Sequence, residues 1–444
     1  MAKQAIIRPA EPGGNMLERY FRLSENGTTL RTELVAGLTT FLTMAYIMFV
    51  NPAILGDAGM DRGAVFVATC LGSAIGTLVM ALYANYPLAL APGMGLNAYF
   101  TYGVVKGMHY SWQVALGAVF LSGLLFLVLS VTRVRGWIAD AIPQSQKMAI
   151  SAGIGLFLGI IALKNAGIVI GNPDTLVTLG NLKAPSAVLA ALGFLAMVAL
   201  DARRVPGAII IAVLGTTAAG VLFGISPFRG VLALPPSLAP TFLQLDLAGT
   251  LQLGLVTIVF AFFFVDLFDN TGTLVGVAYR AGLIDREGRI PRLGRAFLAD
   301  SIATIAGSLL GTSTVTSYIE SAAGVRAGGR TGLVGLVVAG LFLASLFLAP
   351  LAGTVPGYAT APALFFVACL MTRGLAEIDW EDVTEYAPAV VTALTMPLTF
   401  SIADGIAFGF ISYAAVKLLA GRPAEARPAV IVLGALFLLK FAVL

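Results

Sequence analysis

The residues best able to do chemistry in this sequence lie within one long apolar stretch, Ile258–Val277 (IVFAFFFVDLFDNTGTLVGV). Its polar residues occur at i, i+3, i+4 and i+7, so they form one stripe on an otherwise apolar helix. They are Asp266, Asp269, Asn270 and Thr273. A charge at the centre of a bilayer costs at least roughly 2.5–3.5 kcal/mol, so two carboxyl groups there need a partner or a function. Such groups can bind a polar solute or carry a proton.

The composition places this stripe in a membrane protein. The 444 residues are 58% hydrophobic and only 11% charged, whereas soluble domains carry about 25% charged residues. Apolar stretches long enough for a bilayer recur between short polar loops, which predicts an all-α polytopic membrane protein. The predicted spans are residues 33–50, 64–83, 90–105, 112–131, 147–163, 186–200, 206–223, 250–278, 296–310, 312–325, 331–350, 358–372, 388–402 and 404–420. A further apolar run, residues 428–443, is predicted either to cross the membrane or to lie at its surface.

The distribution of arginine predicts the orientation of the spans. The polar N-terminal segment, residues 1–32, and alternate loops are rich in arginine, whereas the loops at 51–63 and 224–249 are poor in lysine and arginine. Positively charged loops favour the cytoplasmic side, so we expect a cytoplasmic N-terminus in a cell (plasma or inner) membrane. The loop arginines are Arg133, Arg135, Arg203, Arg204, Arg280, Arg286, Arg289, Arg292, Arg295, Arg326 and Arg330.

Two short segments interrupt the helical pattern, and the first is Ala91–Phe100. Pro92 removes a backbone donor, and Gly93 and Gly95 weaken the next turn, so we expect the helix to resume just before Asn97. Non-helical backbone at membrane depth is tolerated only inside protein or beside a water-filled cavity.

The second interrupted segment, Gly311–Glu320 (GTSTVTSYIE), has six Ser, Thr or Tyr residues in ten. If it is extended, alternation places every second side chain on one face. These are Thr312, Thr314, Thr316, Tyr318 and Glu320. Free backbone groups from two such segments would offer hydrogen bonds to a planar polar ligand, and a pair of kinks that only permits tight packing is the alternative.

A weak internal repeat relates the helices that precede the two interrupted segments. Ala68–Leu78 (ATCLGSAIGTL) aligns with Ala299–Leu309 (ADSIATIAGSL), with Gly76 matched to Gly307. If each half has seven spans, the second half enters the membrane inverted. Inverted repeats with broken segments at matching positions are typical of secondary transporters. Chance similarity between two helices rich in small residues is the alternative.

Three acids are predicted within the membrane core, namely Asp266, Asp269 and Glu320. Burial disfavours the charged form of a carboxyl group, so each is a candidate proton carrier. The single histidine, His109, leaves no histidine cluster for a metal, and the sequence lacks the P-loop pattern of nucleotide hydrolysis. The sequence therefore predicts a transporter, not an enzyme, with no metal and no cofactor. A channel is the alternative, but it should show polar residues across many spans.

Five blocks of the sequence share their pattern with one known family. They are Glu33–Leu55 (ELVAGLTTFLTMAYIMFVNPAIL), Ala91–Val105 (APGMGLNAYFTYGVV), Phe264–Ala278 (FVDLFDNTGTLVGVA), Gly311–Leu333 and Ala376–Tyr413. In these blocks the chain resembles the AzgA-like branch of the nucleobase transporters, which contains the hypoxanthine, guanine and adenine permeases. The resemblance covers nearly the whole chain.

The resemblance implies fourteen helices in two inverted sevens, with short antiparallel strands within spans 3 and 10. It implies a core domain of residues 33–131 (spans 1–4) and 250–350 (spans 8–11). The gate domain is then formed by residues 147–223 (spans 5–7) and 358–444 (spans 12–14 and the C-terminal apolar tail). Members are proton-coupled importers of purine bases, and their alternating access is of the elevator type.

The resemblance also assigns functional positions. The family's asparagine in span 3 falls on Asn97, its acids in span 8 on Asp266 and Asp269, and its acid in span 10 on Glu320. Two departures leave the base preference open. Asn270 stands where members often have threonine, and Val315 replaces another frequent threonine.

We therefore expect a purine base to bind between spans 3, 8 and 10, with proton coupling through Asp266, Asp269 or Glu320. The predicted substrate-binding residues are Asn97, Asp266, Asp269, Asn270, Thr273, Thr314, Thr316, Ser317, Glu320, Tyr46 and Phe264. Candidates for stacking against the base are Phe262, Phe263, Phe264, Phe268 and Tyr46.

The expected partners are adenine, guanine or hypoxanthine, a proton and the lipid bilayer, with no nucleic acid and with homodimer formation left open. A same-fold transporter of uracil, xanthine or a small anion is the alternative, although an anion carrier should place a basic residue near the interrupted segments.

Overall fold

The computed structural model describes residues 16–132, 142–251, 256–283 and 290–443. Several sequence predictions lie outside these residues. They concern residues 1–15 of the N-terminal segment, the side chain of Phe268, residues 252–255 of predicted span 8, and the loop arginines Arg133, Arg135, Arg286 and Arg289.

The described part of the chain is mainly helical. Its α-helices are α1 (Met16–Phe21), α2 (Leu30–Met44), α3 (Ile47–Gly56), α4 (Arg62–Val79), α5 (Met94–Ala98), α6 (Trp112–Val131), α7 (Gln144–Asn165), α8 (Pro185–Ala202), α9 (Ala208–Leu222), α10 (Leu247–Thr250), α11 (Val256–Arg280), α12 (Leu293–Leu310), α13 (Ser321–Arg326), α14 (Leu333–Ser345), α15 (Ala349–Thr354), α16 (Gly357–Thr372), α17 (Val383–Thr399), α18 (Ile402–Leu419) and α19 (Pro428–Val443). Met80–Ala84 and Tyr99–Gly107 are π-helical, and Leu346–Leu348 and Arg373–Glu377 are 3₁₀-helical. The strands are β1 (Leu90–Pro92), β2 (Val169–Asn172), β3 (Leu176–Leu179) and β4 (Val315–Ser317).

Ten segments of the described chain are long and apolar enough to cross a membrane, which makes this a multi-pass membrane protein. The other four predicted spans correspond to α9, to α17 and to the two interrupted segments. Helices α9 and α17, with 15 and 17 residues, are too short to qualify as membrane spans by length alone. The two interrupted segments do not form one continuous helix each. The count of fourteen spans and their inverted repeat therefore stay predictions.

Several observed boundaries differ from the predicted ones. Helix α17 begins at Val383 and not at 388, because the Asp382 side chain accepts a hydrogen bond from the Thr384 amide and caps the helix earlier. A β2–β3 hairpin occupies residues 169–179, between the predicted spans 147–163 and 186–200. Residues 428–443 form helix α19, which packs against α18.

The helices pack in two sets. In one set α12 packs against α4 and α6, and α14 packs against α2 and α4. In the other, α7 packs against α16 and α17, α17 against α18, and α8 against α9 and α16. These sets follow the predicted core and gate domains in sequence, although the assignment of those roles stays a prediction.

Small residues allow α4 and α12 to approach closely at the positions matched in the internal repeat. A Cβ atom built on Gly76 would lie 2.7 Å from Ala303 Cβ and 3.2 Å from Val315 Cγ1. A Cβ atom built on Gly307 would lie 2.6 Å from Val315 Cγ2. Val315 therefore fits between the two helices where glycine leaves room, and this contact fixes the position of β4.

Gly307→Ala should destabilise the protein by about 1–3 kcal/mol, because the added methyl group overpacks the contact with Val315. The matched control is Gly340→Ala in α14, where an added Cβ meets nothing within 4 Å. There the same substitution should stabilise by about 0.5–1 kcal/mol, because alanine loses less backbone entropy in a helix. Thermal unfolding of the purified variants, followed by circular dichroism, measures both. Equal shifts in apparent Tm would contradict the packing account.

Candidate functional site

The two interrupted segments meet as a pair of short antiparallel strands, as expected from the resemblance. In this pair β1 and β4 place Leu90 opposite Ser317 and Pro92 opposite Val315. The ladder continues beyond the strands, since the Gly93 amide donates to Thr314 O at 2.9 Å and the Tyr318 amide to Ala89 O at 3.0 Å. Strand pairing satisfies backbone groups that a broken helix would otherwise leave exposed at membrane depth.

The side chains of β4 divide between two faces. Val315 packs between α4 and α12, so alternation turns Thr314 and Thr316 to the opposite face. A Cβ built on Gly93 would lie 2.8 Å from Thr316 Cγ2, which shows how closely that threonine approaches β1. Ser317 alternates with Thr316 and therefore lies on the same face as Val315.

The predicted one-sided row from Thr312 to Glu320 is wrong at both ends. Thr312 lies against α4 and α12, and its Oγ1 accepts a hydrogen bond from Asn51 Nδ2 at 2.8 Å. The strand ends at Ser317, and Glu320 occupies the N-cap position of α13 with helical backbone angles. The segment is therefore extended for too short a distance to keep all five side chains on one face.

Several polar side chains beside this strand pair are buried without a hydrogen-bond partner in the described part of the chain. They are the amide of Asn97 and the hydroxyls of Thr314 and Thr316, and on the opposite face of β4 the hydroxyl of Ser317. Asn97 and Thr314 have no exposed surface, and Thr316 is 1% exposed. Buried polar groups are normally hydrogen-bonded, so a cluster of unsatisfied ones marks a place where a polar ligand can bind.

Helix α11 has the predicted polar stripe on its inner side. Asp266 and Asn270 are fully buried, Thr273 is buried, and Asp269 is half-buried. The outer side of the same helix, which includes Val275 and Tyr279, is exposed. The side chain of Asn270 also has no partner among the described residues. Because α11 contacts α5, β4 and α13, the stripe faces the strand pair.

Three of the predicted residues are directly connected. The Tyr46 hydroxyl, at the break between α2 and α3, donates to Glu320 Oε1 at 2.8 Å. The half-buried carboxyl of Glu320 also interacts electrostatically with that of Asp269. Tyr318, which lies near both acids, donates from its hydroxyl to Pro92 O at 2.5 Å. The structure therefore brings one acid of α11 and the acid of α13 to the edge of the strand pair.

The aromatic residues separate into two groups. Phe262 lies one turn before Asp266 on the polar stripe, and its ring centroid is 5.0 Å from that of Tyr99. Phe264 lies about 200° around the helix from Asp266, and its ring packs 5.4 Å from Phe263 and 6.2 Å from Phe260. The predicted ligand contact of Phe264 is thus not supported by its position, whereas Phe262 lies on the face of the candidate site.

The sequence reasoning missed two residues at the edge of the site. Tyr99, in the π-helix after α5, is fully buried, and its hydroxyl has no hydrogen-bond partner in the described chain. Asp404 interacts electrostatically with Tyr99 from the first turn of α18. Asp404 lies in this first turn, and its amide donates a hydrogen bond to the Ser401 hydroxyl at 3.1 Å. The Ser401–Asp404 spacing resembles a capping box and was the available signal.

The second set of helices reaches the candidate site at α5. A Cβ atom built on Gly95 would lie 2.5 Å from Ile154 Cγ2 of α7. Helix α11 also contacts α7 and α18. The candidate site therefore lies on one set of helices and borders the other.

Among the described residues, only one group of acids is close enough to hold a metal ion, and it lies elsewhere. Asp382, Glu385 and Glu425 bring carboxylate oxygens within 4.8 Å of one another. The fully buried Lys417 lies between them, with Nζ 2.7 Å from Glu385 and 2.9 Å from Glu425. Hydrogen bonds from the Thr384 hydroxyl and amide lower the pKa of Asp382 to about 2. Because Lys417 Nζ lies within ion-pair distance of Glu385 and Glu425, its ammonium group provides the positive charge that a metal ion would otherwise supply to these acids.

Comparison with known proteins identifies the family. The model of the Permease family (Xan_ur_permease) matches residues 31–408. The chain belongs to this family. The permease is 50% identical over 428 residues to the adenine permease AdeP of Escherichia coli, a match that covers 96% of each chain. It is 45% identical over 437 residues to the guanine/hypoxanthine permease PbuG of Bacillus subtilis, which covers 96% of this chain and 99% of that one.

The family match and these relatives bear out the predicted resemblance to the nucleobase permeases and indicate a transporter and not an enzyme. Its fold resembles the transmembrane domain of a cyanobacterial bicarbonate transporter, BicA, with a TM-score of 0.61. That match covers 86% of this chain and 97% of the other at 19% identity, so it concerns the fold alone.

Proposed function

We propose that this permease imports purine nucleobases in symport with protons. The observation that carries the proposal is that buried polar groups without a partner in the described chain, on α5 and along the segment of β4, lie beside the carboxyl groups of Asp269 on α11 and Glu320 at the start of α13. AdeP is an adenine permease and PbuG a guanine/hypoxanthine permease, and this supports adenine, guanine or hypoxanthine as the substrate here.

The chemistry of the site suits the edge of a purine. Asp269 and Glu320 accept hydrogen bonds from ring N–H or exocyclic amino groups. The Asn97 amide and the hydroxyls of Thr314 and Thr316 donate hydrogen bonds to the carbonyl and ring-nitrogen atoms of the base. Phe262 and Tyr99 provide apolar ring surface at the side of the stripe.

The proximity of Asp269 and Glu320 supports proton coupling. Two neighbouring carboxyl groups cannot both ionise without repulsion, so one of them favours a bound proton. In the described chain no lysine or arginine lies within ion-pair distance of either acid. Proton binding removes a charge from the membrane interior and lowers the cost of moving the loaded site across it.

The proposed motion is an elevator, in which the core set of helices slides along the gate set. The close approach of Ile154 to Gly95 supports a sliding surface between α5 and α7. Fourteen spans arranged as inverted sevens, with a cytoplasmic N-terminus, complete the proposal. The opposite chain directions of β1 and β4 support this inverted arrangement.

The fold shared with BicA raises anion transport as a second candidate. The carboxyl groups of Asp269 and Glu320 would repel an anion, and no lysine or arginine of the described chain lies within ion-pair distance of either to offset that repulsion. The chemistry of the site therefore favours a base over an anion.

The proposed function is tested by uptake of radiolabelled adenine, guanine, hypoxanthine, xanthine, uracil and bicarbonate into cells or proteoliposomes. We expect accumulation of at least one of the first three, and a protonophore should abolish it. Purine uptake that is indifferent to the protonophore would refute the coupling. Transport of only uracil, xanthine or bicarbonate would refute the substrate assignment.

A further inference from the structure

A basic pocket lies outside the candidate transport site, where the N-terminal helix meets the turn after α4 and the start of α12. The cavity measures about 360 Å³. Among the described residues, its charged lining consists of Arg22, Arg292, Arg295 and one acid, Glu25. The guanidinium group of Arg292 lies close enough to those of Arg22 and Arg295 to be repelled by both. An anion in the pocket would relieve this repulsion.

The arginines are held in position by aromatic residues. Arg295 Cζ lies 5.6 Å from the ring centroid of Tyr83, and Arg292 Cζ lies 5.5 Å from that of Tyr86. Glu25 pairs with Arg22 at 3.7 Å, and both side chains are about two-thirds exposed. Arg292 and Arg295 have no acid within ion-pair distance among the described residues. Among the described residues, the lining of the pocket therefore carries more positive than negative charge.

An apolar groove of about 420 Å³ adjoins the basic pocket. It runs between α4 and α12, where Leu78, Val79, Leu298 and Ile302 line it. Leu82 and Tyr83 line both cavities, so the groove and the pocket are continuous. The groove is on the outer surface of two membrane-spanning helices, where the surrounding solvent is lipid.

We propose that the groove and the pocket together bind one anionic phospholipid. The phosphate group lies among Arg22, Arg292 and Arg295, and an acyl chain follows the apolar groove. This face carries the arginine-rich N-terminal segment and loops, so the lipid belongs to the leaflet predicted to be cytoplasmic, which is the anionic one. A free phosphate ion would satisfy the arginines but would leave the groove without an occupant.

The bound lipid would stabilise the helices that hold the strand pair. Helix α4 contacts β1, and α12 contacts β4. The Tyr20 hydroxyl donates to Leu82 O at 2.8 Å, which ties the N-terminal helix to the same site. A lipid that bridges these elements should therefore raise the thermal stability of the protein.

The test is thermal unfolding of the full-length protein in detergent micelles, titrated with phosphatidylglycerol, phosphatidylcholine of the same chain length, or glycerol 3-phosphate. We expect phosphatidylglycerol to raise the apparent Tm well above the effect of either other probe. Equal effects of the two lipids, or a full effect of glycerol 3-phosphate, would overturn the proposal in favour of a nonspecific lipid surface or a free-anion site.

Variants locate the effect. Arg292→Gln with Arg295→Gln should weaken the apparent affinity for phosphatidylglycerol about 30-fold, since each arginine near an anionic lipid contributes about fivefold. The matched control is Arg203→Gln with Arg204→Gln, two exposed arginines outside the pocket, which should leave the affinity unchanged. A second variant, Ile302→Trp, fills the groove and should reduce the advantage of long-chain over short-chain phosphatidylglycerol. If the pocket variant and the groove variant both respond to phosphatidylglycerol as the wild type does, the proposal is overturned.

Discussion

Glu320→Gln should lower the rate of purine uptake at low substrate concentration about 10- to 100-fold. Hydrogen bonds to a charged group contribute about 1.5–3 kcal/mol, and the amide keeps the shape of the side chain while it replaces one acceptor oxygen with a donor. The remaining oxygen can still accept from Tyr46, so the local structure is expected to persist. Initial rates of radiolabelled purine uptake, normalised to the amount of protein in the membrane, measure the loss.

The matched control for this variant is Glu377→Gln, which makes the same substitution at an exposed position outside the candidate site. It should transport at the wild-type rate. Tyr46→Phe should show a smaller loss than Glu320→Gln, because it removes the hydrogen bond that orients the carboxyl group but leaves the carboxyl group itself. Normal uptake by Glu320→Gln would remove this acid from the binding site.

Asp269→Asn should abolish accumulation of purine against a gradient while it leaves exchange of internal for external purine measurable. The asparagine side chain is neutral at every pH, so the loaded and empty sites no longer differ by a proton at this position. Wild-type uptake should increase as the external pH falls, because protonation of the acids is then favoured, whereas the variant should respond weakly. Proteoliposomes with an imposed pH gradient separate accumulation from exchange.

Asp201→Asn provides the control for this prediction, since Asp201 is an exposed acid at the end of α8. Its accumulation and its pH dependence should match those of the wild type. If Asp269→Asn still accumulates purine in response to a pH gradient, the proton is carried by another group, and Glu320 or Asp266 becomes the candidate.

Local sequence patterns predicted those parts of the site that depend on local structure. The stripe on α11 follows from helical periodicity, and the break at Pro92 and Gly93 follows from backbone chemistry. The pairing of β1 with β4 was expected only through the family resemblance, because pairing between distant segments leaves no local signal. The ends of the second segment were predicted incorrectly, since helix α13 begins soon after the strand and takes Glu320 with it.

Contacts between distant residues account for what the sequence did not predict. Tyr46 and Glu320 are 274 residues apart, and the hydrogen bond between them depends on how α2, α3 and α13 pack. The same holds for Tyr99 with Phe262 and for Asp404 with Tyr99. Phe264 looked like a ring for stacking because it lies beside the acids in sequence, but helical geometry turns it away from them.

The pairing of β1 with β4 also constrains how the protein is made. Pro92 and its partner Tyr318 are 226 residues apart, so a ribosome delivers the first strand to the membrane long before the second. During that interval the backbone of β1 has no strand to pair with, although unpaired amides are costly in lipid. The Thr77 hydroxyl contacts both Leu90 N, at 2.9 Å, and Leu90 O, at 3.1 Å, from the helix synthesised just before β1. This one hydroxyl can therefore satisfy the backbone amide and carbonyl of Leu90 until β4 is synthesised.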